Sequence, residues 1–125
     1  MKPVFQTRFD ESGTGPGNCM QAAAASMLEL PLSMVPNFID YSDSFKHMRE
    51  FFERYGIQLV EMHRNVEPHG LYFETGISTQ GHEHIVLCRG GRLVHDPNPH
   101  GRGLVLRRGV IWPKPLTDEA RDLLG

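Results

Sequence analysis

The run GNCMQAAAASMLEL, Gly17 to Leu30, carries the strongest helical signal in the chain. Four consecutive alanines, Ala22 to Ala25, combine high helix propensity with a thin side-chain surface, so neighbouring elements can approach closely. Asn18 stands where an N-cap belongs, which places Cys19 in the first turn, and Pro31 ends the run. The Gly-rich stretch before it, SGTGPGN (12–18), reads as a loop. After it, PLSMVPNFID (31–40) reads as a turn or short helix. SDSFKHMREFFERYG (42–56) is a second helix: Phe45, Met48, Phe51 and Phe52 recur at helical spacing, with Gly56 at the C-cap.

The period then changes. IQLVEMH (57–63), LYFETGIS (71–78) and HIVLCRG (84–90) are short runs of β-formers. Gly90-Gly91 predicts a tight turn into RLVHD (92–96), DPNPHGRG (96–103) a loop, and VLRRGVIWP (105–113) a further strand. TDEARDLLG (117–125) predicts a short terminal helix capped by Thr117. Helices first and an antiparallel meander after them predict an α+β fold with the helices on one side of a small sheet.

Composition narrows the function classes. A chain of 125 residues predicts a single domain, 1–125, large enough to bury a core without staples. A 39% hydrophobic and 22% charged content excludes a disordered tail protein. Thirteen basic against fifteen acidic residues give a net charge of −2, with no electrostatic footprint for nucleic acid. Two cysteines, Cys19 and Cys88, make neither a disulfide scaffold nor a four-cysteine zinc site. The N-terminal MKPVFQTRFDESG lacks the apolar run of a signal peptide, and no stretch nears the roughly 20 apolar residues of a membrane span. The expectation is a soluble cytoplasmic protein with no membrane partner and no cofactor.

Cys19 opens a helix, where free backbone N–H groups and a partial positive charge favour negative charge on sulfur and can stabilise an oxyanion beside it. A cysteine nucleophile needs a base, and the base needs an orienter. His84 begins one predicted strand and Asp96 ends the next. Counting outward from Gly90-Gly91 pairs Arg89 with Arg92 and sets position 85 near position 96, so His84 and Asp96 share one end of the hairpin. His82 would face the same side as His84, and His95 the side opposite Asp96. The other histidines, His47, His63, His69 and His100, read as surface or turn residues, and Cys88 as a core residue. Arg102, Arg107 and Arg108 make the C-terminal third locally basic and read as a solvated face.

Cys at a helix start, His at a strand start and Asp on the next strand resemble the papain-like cysteine hydrolases. The likeness is closest to their small bacterial branches: bacteriocin-leader peptidases, NlpC-type cell-wall peptidases and transglutaminase-like proteins. QTRF…GNCMQAAAASMLELPLSMVPNF and EHIVLCRGGRLVHDPNPHGRGL resemble a group of small proteins from bacteria and their phages. The resemblance implies a papain-like fold with Cys19 as nucleophile, His84 as general base and Asp96 as its orienter. It also implies an oxyanion-hole side chain upstream of the cysteine, for which Gln6 is the candidate; Asn18 or backbone N–H groups are alternatives. The implied activity is hydrolysis or acyl transfer on an amide, isopeptide or ester bond through a thioester, with a peptide or a protein-borne amide or ester as substrate. It implies a bacterial cytoplasm, or a host cytoplasm for a phage protein. So short a chain leaves little room for two lobes, which favours a shallow groove or a substrate presented by a partner.

Two rival readings stand beside it. His82, His84, His95, Asp96 and His100 lie within one short stretch and offer ligand types suited to zinc or iron. Alternatively the framework persists as a binding module without catalysis.

Overall fold

The alanine run forms helix α1, Cys19–Leu28, and all four alanines are fully buried. The computed structural model describes residues 1–9 and 17–125, so most of the loop expected over 12–18 lies outside the described residues. α1 stops earlier than Leu30. Glu29 takes the left-handed conformation (φ 57°), its N–H turned back to the Ala25 and Ser26 carbonyls. Leu30 precedes Pro31, and the proline ring disfavours helix in the residue before it. Asn18 occupies the N-cap position, yet its side chain makes no capping bond; it is used elsewhere.

Two 3₁₀ turns, Leu32–Met34 and Phe38–Asp40, lead to α2, Ser44–Glu53. Asp43 caps α2 by accepting from the Lys46 N–H at 3.2 Å. Gly56 (φ 72°) lies past the helix end, pressed so closely on Thr117 that a Cβ there would collide with the threonine side chain. Thr117 in turn caps the terminal helix α3, Asp118–Leu124, accepting from Ala120 N–H at 3.1 Å.

Five strands follow the expected positions: β1 Ile57–Met62, β2 Leu71–Ser78, β3 Glu83–Arg89, β4 Arg92–His95 and β5 Leu104–Pro115. They form one antiparallel sheet in the order β1-β5-β2-β3-β4. The fold class is α+β, with the first two helices preceding the sheet. The order corrects the simple meander: only β2-β3-β4 are hairpin neighbours, and β5 inserts between β1 and β2. The reason lies in β5's length. Its first part pairs with β2 as far as Ile111, and its last part, Val110 to Pro115, pairs with β1. Pro113 and Pro115 fall beyond the reach of β2, where one edge of β5 is free and a missing N–H costs no ladder bond.

Strand alternation separates two cores. Leu71 and Phe73, Ile85 and Leu87, with Ile111, Ile57 and Leu59, join the apolar residues of all three helices. The alternate residues Tyr72, Val86, Cys88 and Val110 form a smaller cluster without a helix residue. The helices therefore cover one side of the sheet. Among the described residues no single helix is long and apolar enough to cross a membrane.

Gly76 marks a close approach. It sits at a register shift between β2 and β5, and a Cβ there would strike the Leu106 carbonyl oxygen. At Gly109 an added Cβ meets only the Thr75 hydroxyl, at 3.2 Å. Gly76→Ala should therefore cost about 1–3 kcal/mol, as overpacking does, and Gly109→Ala less. Urea unfolding of the two variants checks this; equal losses would contradict the close strand contact.

Candidate active site

Three elements bring the sequence candidates together. The head of α1 presents Cys19, partly exposed. The start of β3 presents His84, and the end of β4 delivers Asp96. His84 Nε2 lies 2.6 Å from Asp96 Oδ1, and the Cys19 side chain lies beside the ring. Nε2 is committed to Asp96, which leaves Nδ1 for the sulfur.

The hairpin achieves this by an irregularity. Arg89 pairs with Arg92 as counted from the turn, and Cys88 with Leu93, but Leu87 then pairs with His95. Val94 is an extra, bulged residue. Without it, position 85 would face position 96, and His84 and Asp96 would project from opposite faces. The bulge shifts the count by one and turns Asp96 onto the face of His84. It also turns His95 to the opposite side, where it donates to the Val4 carbonyl at 2.7 Å.

The loop after β4 wraps the Asp96 carboxylate. Oδ1 also accepts from the Asn98 N–H and Oδ2 from the Gly103 N–H, both at 2.9 Å. Gly101 backs directly onto the carboxylate, so any Cβ there would displace it. Asp96 is buried with its donors supplied, which is the condition for keeping a charged carboxylate out of water. These collar residues were legible in the sequence only as loop composition. The Gly-x-Gly at 101–103 was the one available signal.

The electrostatics follow from that packing. Burial lowers the His84 pKa, but the hydrogen bond to Asp96, the Cys19 side chain and the charges of both outweigh it, and the ring is pushed up to about 9. Burial likewise raises the Asp96 pKa, but the His84 bond and the Gly103 and Asn98 N–H groups hold it below its ordinary 3.8. His84 therefore carries its proton at neutral pH.

Gln6 and Asn18 part company. Asn18 Oδ1 accepts from the N–H groups of Thr7 (2.9 Å) and Arg8 (2.8 Å). Its Nδ2 donates to Thr7 Oγ1 (3.1 Å) and Gln21 Oε1 (3.2 Å). Both amide hydrogens are spent, so Asn18 is a bracket for residues 7–8 and not an oxyanion donor. Gln6 stands on the segment so held, its N–H bonded to the Pro97 carbonyl at 2.8 Å. Its Nε2 donates one hydrogen to the Arg8 carbonyl at 3.0 Å, and its side chain borders the same small cavity as Cys19 and His84. Among the described residues its second Nε2 hydrogen has no hydrogen-bond partner.

A cleft runs through the pair. On one side lies a cavity of about 600 Å³, on the other a smaller one of about 180 Å³, and Cys19 and His84 border both. Among the described residues no group of three or more His, Cys, Asp or Glu is placed to hold a metal ion. His95 is turned away onto Val4, and His100 is exposed on the loop.

Cys88 lies in the smaller cluster, on the face away from the helices, buried, its thiol donating to Glu74 Oε2 at 2.8 Å. Burial and the Glu74 carboxylate push its pKa far up. Glu74 is also paired with Arg107, so Arg107 is structural and not part of a solvated basic face. No local pattern around Glu74 signals this buried carboxylate.

Two tests address the pair. The proton on His84 is bound more tightly in the fold than in the unfolded chain. That contribution is complete below pH 6.5 and is lost as the pH rises through about 9. The Asp96 contribution is present above pH 3.8 and is lost as the pH falls through its lower folded value. The stability gap between wild type and Asp96→Asn should be widest between pH 3.8 and 6.5 and narrow above about 9. NMR titration of the ring should show the His84 pKa falling to or below 6.5 in that variant. Gly101→Ala should lower the same pKa while leaving the Cys88 environment unchanged; an unmoved titration would show that the loop does not position the carboxylate. No family model matches the chain, and neither the curated proteins nor the solved structures contain a match to it.

Proposed function

We propose that this protein is a cysteine-nucleophile hydrolase or acyltransferase of papain-like type, acting on an amide or ester bond. The observation that carries the reading is the ordered chain Cys19–His84–Asp96, with the imidazole held between a thiol at a helix head and a buried carboxylate. In this reading the Cys19 proton has passed to His84 before substrate binds, so Sγ attacks the carbonyl carbon as the thiolate and the carbonyl π electrons move onto oxygen. The Cys19 backbone N–H and the free Nε2 hydrogen of Gln6 stabilise that oxyanion. His84 gives its proton to the departing amine or alcohol, and Asp96 holds the ring in place and balances its charge. Water, or an acceptor amine, then attacks the thioester. A positioned acid–base contributes roughly 10²–10⁴-fold and an oxyanion donor roughly 10²–10³-fold.

The pKa of about 9 refines the role of His84. The ring holds its proton before substrate arrives, so its first task is that of an acid toward the leaving group. It becomes the base only for the second, water-attack step.

Thiol labelling tests this reading. Chloroacetamide at neutral pH, followed by peptide mass spectrometry, should modify Cys19 rapidly and leave Cys88 unmodified in the folded protein. His84→Ala should slow Cys19 labelling by at least about tenfold, because the cationic ring that favours the thiolate is removed. Cys19 labelling no faster than that of a small free thiol, and unchanged in His84→Ala, would sink the proposal.

A further inference from the structure

The two cavities flanking Cys19 and His84 differ in chemistry. The larger, of about 600 Å³, is walled by Met20, Ile39 and Phe45 and floored by Ile85 and Ile111. The smaller, of about 180 Å³, is bordered by the polar side chains of Gln6, Ser78, Gln80 and Asn98. Its size suits a departing group and a water.

The floor of the larger cavity is sheet interior. Across that floor the central strands β5 and β2 are paired on both edges, so their N–H and C=O groups are spent, save at the bulged Arg108. A peptide seated there would lose the hydration of its own backbone and find almost no backbone partners in return. Only the Ser44 and Thr75 hydroxyls and the rim charges Glu61, Glu83 and Arg108 are at hand. Arg108 is already drawn toward Glu83, at 3.7 Å. A hydrocarbon chain needs no such partner and gains with every methylene buried. The volume lies in the range that holds a small organic ligand.

We infer that the larger cavity takes a linear hydrocarbon acyl chain and that the site acts on acyl esters. This rests on the cysteine-hydrolase reading and names its substrate class. The acyl half belongs in the larger cavity because it stays bound through both steps, while the alcohol leaves after the first. The S–C bond forms at the acyl carbonyl, the C–O bond to the alcohol breaks, and the His84 proton passes to the departing oxygen. Water then adds to the thioester carbon and gives one proton to His84. The C–S bond breaks, and the carboxylic acid is released with its proton going to solvent.

A series of p-nitrophenyl esters from acetyl to dodecanoyl tests this, with Cys19→Ala as the blank. The kcat/KM should climb by roughly two- to fourfold per methylene until the cavity is full. Ile39→Trp, a change at a partly exposed wall residue, should lower the decanoyl-to-acetyl ratio of kcat/KM by about tenfold. A rate that is flat or falling with chain length, while Cys19 still turns over the acetyl ester, overturns the inference and leaves the hydrolase reading intact. Faster cleavage of a peptide amide bearing one bulky apolar residue than of any acyl ester also overturns it. Cys19→Ala protein titrated with sodium decanoate gives a readout free of chemistry. Saturable binding that Ile39→Trp abolishes supports the acyl-chain cavity even if no ester is cleaved, and absence of binding overturns it.

Discussion

Ala22 to Ala25 have no exposed surface, and that constraint sets the geometry of everything near the site. A helix with such a thin face lies close against β3 and leaves no room for its neighbours to shift. Ser26 extends the constraint to the N-terminal segment. Its hydroxyl donates to Ala22 O and accepts from Val4 N–H, so the chain before the helix is drawn along α1. Asn18 repeats the device one helix-length earlier, holding Thr7 and Arg8. The result fixes three things at once: the depth of Cys19, the position of Gln6 and the distance to the head of β3. Larger residues in place of the alanines would lift the helix and separate sulfur from imidazole.

The second constraint is electrostatic. A buried imidazolium and a buried carboxylate are each costly alone, and their attraction offsets the cost only when the remaining lone pairs find donors. The Asp96 loop supplies them from its own backbone, through Asn98 and Gly103, with Gly101 pared to a hydrogen so that the chain can close over the carboxylate. The loop is thus shaped around a charge. That charge is what strengthens the hold of His84 on its proton.

A second buried carboxylate shows the same chemistry put to another use. Glu74 is buried between Arg107 and Cys88, and Cys88 spends its proton on the carboxylate. A thiol beside an anion in an apolar setting is held neutral and unreactive. Cys19 sits instead at a helix head beside a cationic ring. One chain therefore carries two cysteines with opposite electrostatic surroundings, separated by the thickness of one sheet.

Much of the local structure was legible without coordinates. Alanine content, the Phe/Met spacing of α2, the Thr117 cap and the β-forming runs depend on near neighbours alone, and they placed every helix and strand within a few residues. The pairing of His84 with Asp96 followed from the Gly90-Gly91 turn, though by a register that the Val94 bulge corrects. What sequence did not contain was set by contacts distant along the chain. The insertion of β5 between β1 and β2 depends on which strand edges remain open after the hairpins close. The use of Asn18 as a bracket depends on residues ten places upstream, and the burial of Glu74 depends on Arg107. Local propensity decided which residues form each element and where Cys19 and His84 stand on theirs. Only the tertiary structure decided that a bulge, a collar of backbone N–H groups and a thin helix face bring them together, because those interactions exist only between segments that sequence alone leaves apart.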